Sequence, residues 1–204
     1  MSDIRLIVGL GNPGREYEGT RHNAGALFVE QLAQSASITL SDESKFHGRV
    51  GRGVVAGNDL RLLIPTTFMN RSGRSVAALA TFFKVAPESI LIAHDELDIP
   101  PGQARFKQGG GHGGHNGLRD IVPALAGQAG FFRLRIGIGH PGHASKVSGW
   151  VLSKPSQDDS AAIQSAIDES IATLPVLLAG NMVKAMTQLH SFDGGSPPMI
   201  EETP

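Results

Sequence analysis

Cysteine is absent from all 204 residues. That excludes disulfides, thiolate zinc sites and cysteine nucleophiles together, and fits a reducing cytoplasm. No apolar run approaches the roughly 18 residues of a transmembrane helix, so the chain reads as free of one. The opening MSDIRLIVGLGNPG is apolar only briefly, is broken by glycine, and does not read as a secretory signal. A G-x-S-x-G elbow is also missing, which disfavours a covalent acyl-enzyme. Net charge is close to nil, −1 at pH 7. Its distribution is uneven, however: residues 101–150 carry +5 and residues 151–204 carry −5. A local positive field in a neutral chain can still attract a polyanion.

What is present is apolar residues at 40%, charged residues at 18%, and 26 glycines, nearly twice the usual share of roughly 7%. The length suits one large domain or two small ones. Ile4 to Leu10, Ile90 to Ala93 and Ala104 to Lys107 read as strands, the first two buried. Val50 to Ala56 and Leu60 to Ile64 read as a hairpin turning at Gly57-Asn58-Asp59. Phe132 to Ile138 alternates Arg133 and Arg135 with Leu134, Ile136 and Ile138, the pattern of a strand with one wet face. Helical spacing predicts Ala24 to Ser35, Ser72 to Phe83 with Ser72 as N-cap, Asn116 to about Leu125, Asp158 to Leu174 ended or kinked by Pro175, and Asn181 to His190. No linker or repeat divides the chain. The expected fold is α/β, a single three-layer α/β/α domain over 1–190 with a twisted, mixed, mostly parallel sheet. From Ser191 to residue 204, Gly, Ser, Pro and Glu predict a disordered tail.

Four segments carry candidate chemistry. GLGNPG, Gly9 to Gly14, follows a strand and matches a dinucleotide fingerprint. The fingerprint should open a helix at once, whereas REYEGTRHN intervenes and Asn12-Pro13 signals a turn. HDELDIPPG sets Asp95 at the end of a strand. GGGHGGHNG, Gly109 to Gly117, leads a helix N-terminus and so offers N–H groups to an anion or oxyanion. His112, His115 and Asp95 also admit a metal reading. PTTFMNRSG puts Phe68, Met69 and Asn70 between a strand and a helix. With covalent catalysis disfavoured, water activated by a base remains. Histidine suits that base, a carboxylate such as Asp95 can orient it, and the amides of Asn12, Asn70 and Asn116 can hold a neutral polar substrate. These residues describe a hydrolase of a polyanion-linked ester or amide, the polyanion lying on an Arg105–Arg135 surface.

GLGNPGREYEGTRHNAG, PTTFMNRSG, HDELDIPPG, FKQGGGHGGHNGLRDI and FRLRIGIGHP together resemble the bacterial-type peptidyl-tRNA hydrolases, in the family's order, over about residues 4–190. The resemblance implies hydrolysis of the ester joining a peptide to the 3′-end of tRNA, by a monomeric cytoplasmic enzyme with no cofactor and no metal. It implies His22 as catalytic base, Asp95 as the acid that keeps it proton-accepting, and Asn12 as the residue separating blocked from unblocked aminoacyl-tRNA. Tyr17, Phe68, Asn70 and Asn116 match substrate contacts, and Met69 and His115 match the lining of the same crevice. Arg105, Lys107 and Arg135 match tRNA-phosphate positions; the family usually has lysine where Arg105 stands, so charge is kept. A non-catalytic RNA-binding protein on the same fold is the alternative, and which groups form the oxyanion site stays open between Asn70, Asn116 and nearby N–H groups.

Overall fold

The computed structural model describes residues 4–194. Seven strands form one sheet: β1 (Leu6–Gly9), β2 (Ser41–Glu43), β3 (Gly48–Val55), β4 (Asn58–Pro65), β5 (Ile90–Glu96), β6 (Ala104–Gln108) and β7 (Phe132–Gly137). Their order is β2-β3-β4-β1-β5-β7-β6. Five run in one direction, and β3 and β6 oppose them. The sheet is therefore mixed and mostly parallel, as the interleaved pattern predicts. The central strands are buried on both faces and need helices on both.

Six helices supply that cover: α1 (Ala24–Ser35), α2 (Ser72–Phe82), α3 (Asn116–Ala124), α4 (Val147–Val151), α5 (Gln157–Leu178) and α6 (Met182–Ser191). On one face α1, α5 and α6 close a core containing Phe28, Leu62, Leu134 and Ile167. On the other, α2 and α3 close one containing Leu63, Val76, Ile92 and Ile121. By length and composition α5 could cross a membrane. Here Ile163, Ile167, Leu174, Leu177 and Leu178 are instead buried in the core, and its first turn carries Asp158 and Asp159.

The seat of α1 decides where the functional loops go. A Cβ on Gly9 would lie 2.3 Å from the Gly25 carbonyl oxygen, and one on Gly25 would lie 2.1 Å from that of Ala93. Two glycines thus let α1 rest directly on β1 and β5, and hold the turn before it, Arg21–Asn23, against the carboxyl ends of those strands.

Several local expectations need correction. The hairpin turns at Ala56-Gly57, whose φ values of 47° and 79° make a two-residue left-handed turn, so Asn58 already pairs with Val55. Ser72 does not cap α2; its hydroxyl donates to the Met69 carbonyl at 2.7 Å. Pro175 does not end α5, which runs on because burying Leu177 and Leu178 outweighs one lost backbone bond. The face of β7 expected to be wet is not: Arg133 is 3% exposed and Arg135 half-buried. β2 and α4 were not anticipated. Ser191 belongs to α6, and the Gly194 N–H donates to the Gly102 carbonyl at 2.9 Å, while the rest of the expected tail lies outside the described residues.

Gly25→Ala is expected to cost about 1–3 kcal/mol of folding stability through overpacking against the Ala93 carbonyl, read as a lower urea midpoint. A wild-type midpoint would contradict this seating of α1.

Candidate active site

Asp95 is the penultimate residue of β5, and its carboxylate is 3% exposed at the centre of the sheet's carboxyl edge. A buried charge there needs partners, and it has two. His22, in the 3₁₀ turn ahead of α1, places Nδ1 2.9 Å from Oδ1 and 3.0 Å from Oδ2. His115 places Nε2 2.9 Å from Oδ1.

Hydrogen-bond complementarity assigns both tautomers. The Nδ1 of His115 accepts from the N–H groups of Gly117 and Leu118 at 3.1 and 3.4 Å, capping α3 with an imidazole. Its proton is therefore on Nε2, aimed at Asp95. The carboxylate likewise fixes a proton on Nδ1 of His22, which leaves the Nε2 lone pair toward the crevice. Burial works to raise the Asp95 pKa, but the electrostatic pull and hydrogen bonds of the two imidazole N–H groups outweigh it and hold the carboxyl well below the usual range.

His94, one residue earlier, points to the other side of the strand and packs edge-on against His115, with centroids 4.9 Å apart. Its Nδ1 donates to the Asp95 carbonyl at 2.7 Å, and its buried Nε2 has no partner. Burial, with His115 alongside, pushes its pKa down to about 3, so it stays neutral. Sequence reasoning missed His94; its only signal is its place in a buried strand beside Asp95.

Asn12 is held on three sides. Its backbone N–H donates to Oδ1 of Asn23 at 2.8 Å, its carbonyl accepts from Nδ2 of Asn23 at 3.0 Å, and its own Oδ1 accepts from the Met69 N–H at 2.7 Å. Because Oδ1 is occupied as an acceptor, the amide NH2 of Asn12 is the end left for a ligand. Asn23, the brace, was also missed, although TRHN puts it next to His22.

These groups open onto a crevice of about 760 Å³, lined among others by Asn12, Tyr17, His22, Phe68, Met69, Asn70, Asp95, His115 and Asn116. Phe68 is 54% exposed and meets Tyr17 edge-to-face at 6.3 Å, an aromatic rim. Met69 is buried beneath it. The amide oxygen of Asn116 accepts from Arg119 at 3.3 Å, leaving its NH2 for the crevice. The far wall is Val147, Val151 and Leu152, from and just after α4, and no sequence signal marked it.

That wall is tied to the turn bearing His22 through Arg21. The Arg21 guanidinium is buried, donates to the Ser153 hydroxyl at 2.8 Å and the Lys154 carbonyl at 3.0 Å, and pairs with Asp159 at 3.2 Å. It also stacks 3.5 Å from the centroid of the Trp150 ring.

Arg105, Lys107 and Arg135 lie outside the crevice, on β6 and β7. Arg105 is in register with Arg135, and Lys107 with Arg133, so all four share one face. Arg135 pairs with Glu96, a crevice residue, at 2.9 Å, which joins stripe to crevice.

The dinucleotide reading fails on geometry: Gly9–Gly14 leads into the 3₁₀ turn Arg15–Tyr17, and the first α-helix starts at Ala24. The metal reading needs revision. Ligand atoms of His22, Asp95 and His115 lie within 4.8 Å of one another, with His22 in the place expected for His112. Two N–H donors already satisfy the shared carboxylate oxygen, however, so the three residues are complete as a hydrogen-bonded unit. His112 instead uses Nδ1 to accept from Gly114 at 3.0 Å.

His94 makes stability depend on pH. Its folded pKa of about 3 lies below the ordinary value of 6.5, so between them the unfolded chain binds more protons and stability rises with pH. Asp95, also depressed, acts in the same sense at still lower pH. Unfolding free energies from urea titrations between pH 4 and 7 (roughly the window in which a free histidine titrates) should fall on acidification by up to about 1.4 kcal/mol per pH unit from this proton. His94→Asn should flatten that slope; an unchanged slope would remove His94 from the account.

Known proteins share this fold and much of this sequence. A family model described as peptidyl-tRNA hydrolase matches residues 6–196. A peptidyl-tRNA hydrolase of Shewanella putrefaciens is 59% identical over 192 residues, covering 94% of this chain and 98% of that one. One of Pseudomonas aeruginosa is 58% identical over 191 residues, covering 94% and 98%. The crystal structure of peptidyl-tRNA hydrolase from Acinetobacter baumannii superposes with a TM-score of 0.92 at 55% identity, covering 95% of this chain and 98% of that one. With a shared fold, near-complete coverage and the family model matched almost end to end, the chain belongs to the peptidyl-tRNA hydrolase family.

Proposed function

We propose that the chain hydrolyses the ester between a peptidyl or N-blocked aminoacyl group and the 3′-end of tRNA, with His22 as general base. The observation that carries the mechanism is the Nδ1 contact of His22 with Asp95, at 2.9 Å, beside a crevice lined by amides. Nε2 of His22 takes a proton from water as the water oxygen attacks the ester carbonyl carbon. Asp95 stays ionised and stabilises the imidazolium that forms. The NH2 groups of Asn70 and Asn116, both from residues that line the crevice, serve in this reading as donors to the oxyanion. When the tetrahedral adduct collapses, the C–O bond to the ribose breaks and the imidazolium returns its proton to the leaving 3′-oxygen. Free tRNA and a peptide carboxylic acid result, the acid losing its proton to solvent, and no step calls for a metal or cofactor.

Asn12 supplies the selectivity. Its free amide NH2 suits the carbonyl of an acylated amine, whereas the ammonium of an unblocked aminoacyl-tRNA would meet donor with donor and lose its hydration. The stripe of Arg105, Lys107 and Arg135 takes the tRNA phosphates. Arg135 is partly neutralised by Glu96, so Arg105 and Lys107 carry more of that attraction. In this reading residues 1–190 are the catalytic unit, working as a monomer in the cytoplasm.

His22→Ala is expected to lower turnover of N-acetyl-aminoacyl-tRNA by roughly 10²–10⁴-fold while tRNA binding persists. Wild-type turnover would strip His22 of its role. Run beside it, the unblocked aminoacyl-tRNA should be a poor substrate of the wild-type enzyme. Replacing Arg105 and Lys107 with glutamine should raise KM, leave kcat unchanged and flatten the dependence of tRNA affinity on salt by about one phosphate contact per residue removed. A salt dependence equal to wild type would move the tRNA elsewhere.

A further inference from the structure

Among the six basic residues of 101–150, Arg133 alone is buried. Its Nη1 donates to the carbonyl of Gly111 and its Nη2 to that of Gly110, so one planar fork grips two successive carbonyls. Its Cζ lies 4.8 Å from the centroid of the Phe131 ring. The loop it holds is otherwise loose. Residues 110–114 are exposed, and Gly110, Gly113 and Gly114 have φ values of 99°, 56° and 83°. The remaining bonds of these residues are local, such as the His115 N–H to the His112 carbonyl. Among the described residues, the two bonds from Arg133 are the only ones that tie 110–114 to another element.

This loop delivers His115, which caps α3 and reaches Asp95, and Asn116, which faces the crevice. Glycine surrenders more backbone freedom on ordering than any other residue, so a segment this rich in glycine needs an external hold.

We infer that Arg133 is a positioning residue: its fork on the Gly110 and Gly111 carbonyls sets the glycine loop, and through it His115 and Asn116, and it makes no contact with tRNA. The role of those two residues rests on the function proposed above, but the hold on the loop does not.

Arg133→Lys keeps the charge but replaces the fork with a single ammonium. The variant is expected to lose about 10–100-fold in kcat, the scale of a misplaced catalytic group. KM and the salt dependence of tRNA binding should stay as in wild type, and amide exchange should accelerate at residues 110–115 and not in the sheet. A raised KM with flattened salt dependence would make Arg133 a phosphate contact and overturn the inference, as would unchanged kcat with unchanged exchange.

Gly111→Ala provides a second arm. A Cβ there meets nothing within 4 Å and needs no left-handed φ, so alanine should narrow the loop's freedom and return about two- to fivefold of the kcat lost in Arg133→Lys. No recovery, with protection lost uniformly across the chain, would reduce Arg133 to a core residue and refute the positioning role. If Arg133→Lys does not fold, side-chain nitrogen NMR of the wild-type protein decides. The Arg133 guanidinium should show slow rotation and stay unshifted on adding tRNA, while Arg105 shifts; averaged or tRNA-shifted Arg133 signals would overturn the inference. Restricted Arg133 with no catalytic loss in the variant would separate a sound tether from a failed account of His115 and Asn116.

Discussion

One carboxylate organises this molecule's chemistry. Asp95 is cut off from solvent and would be costly to ionise alone, yet two imidazole N–H groups, from His22 and His115, converge on it. The arrangement works in both directions. The imidazoles keep Asp95 charged, and the charge dictates which nitrogen of each imidazole carries the proton. His115 spends its remaining lone pair capping α3, so it is a structural partner. His22 has its lone pair left over and faces the crevice. The division of labour between two chemically identical side chains thus follows from what lies behind each ring.

That convergence is a product of the fold. Asp95 arrives on a central strand, His22 on the turn before a helix that two glycines allow to sit on the sheet, and His115 on a loop strung between β6 and α3. Parallel central strands bring the carboxyl ends of β1, β4 and β5 to one edge, where α/β sheets place ligands. The antiparallel outer strand β6 then adds a basic stripe beside that edge. The crevice and the basic stripe thus occupy adjacent but separate surfaces.

Hydrophobic period made most of this architecture readable in advance. The helices containing Leu27–Leu32, Val76–Ala80 and Ile163–Leu174 and the strands starting at Leu6, Ile90 and Phe132 stand where their apolar residues repeat. Features carried by backbone alone were invisible: β2 pairs through the exposed Ser41–Glu43, and α4 has no buried residue to announce it. Arg133 shows a subtler failure. An arginine alternating with leucine looks the same whether its face meets water or a glycine loop, because a loop without side chains leaves no hydrophobic trace. The site was legible as a set of residue types, amides with histidine and a carboxylate. Which histidine meets Asp95 was not, since His22 is 73 positions away and nothing local links them; resemblance to a family supplied that pairing. His94 escaped notice because a strand sends neighbouring side chains to opposite sides, and only the packed structure shows both sides covered.

The stack of Arg21 on Trp150 couples the two sides of the crevice. One guanidinium joins the backbone turn bearing His22 to the helix forming the opposite bank. A displacement of that bank would either break the stack or load the turn that carries His22. The turn carrying His22 and the bank facing it are thus joined mechanically through one side chain.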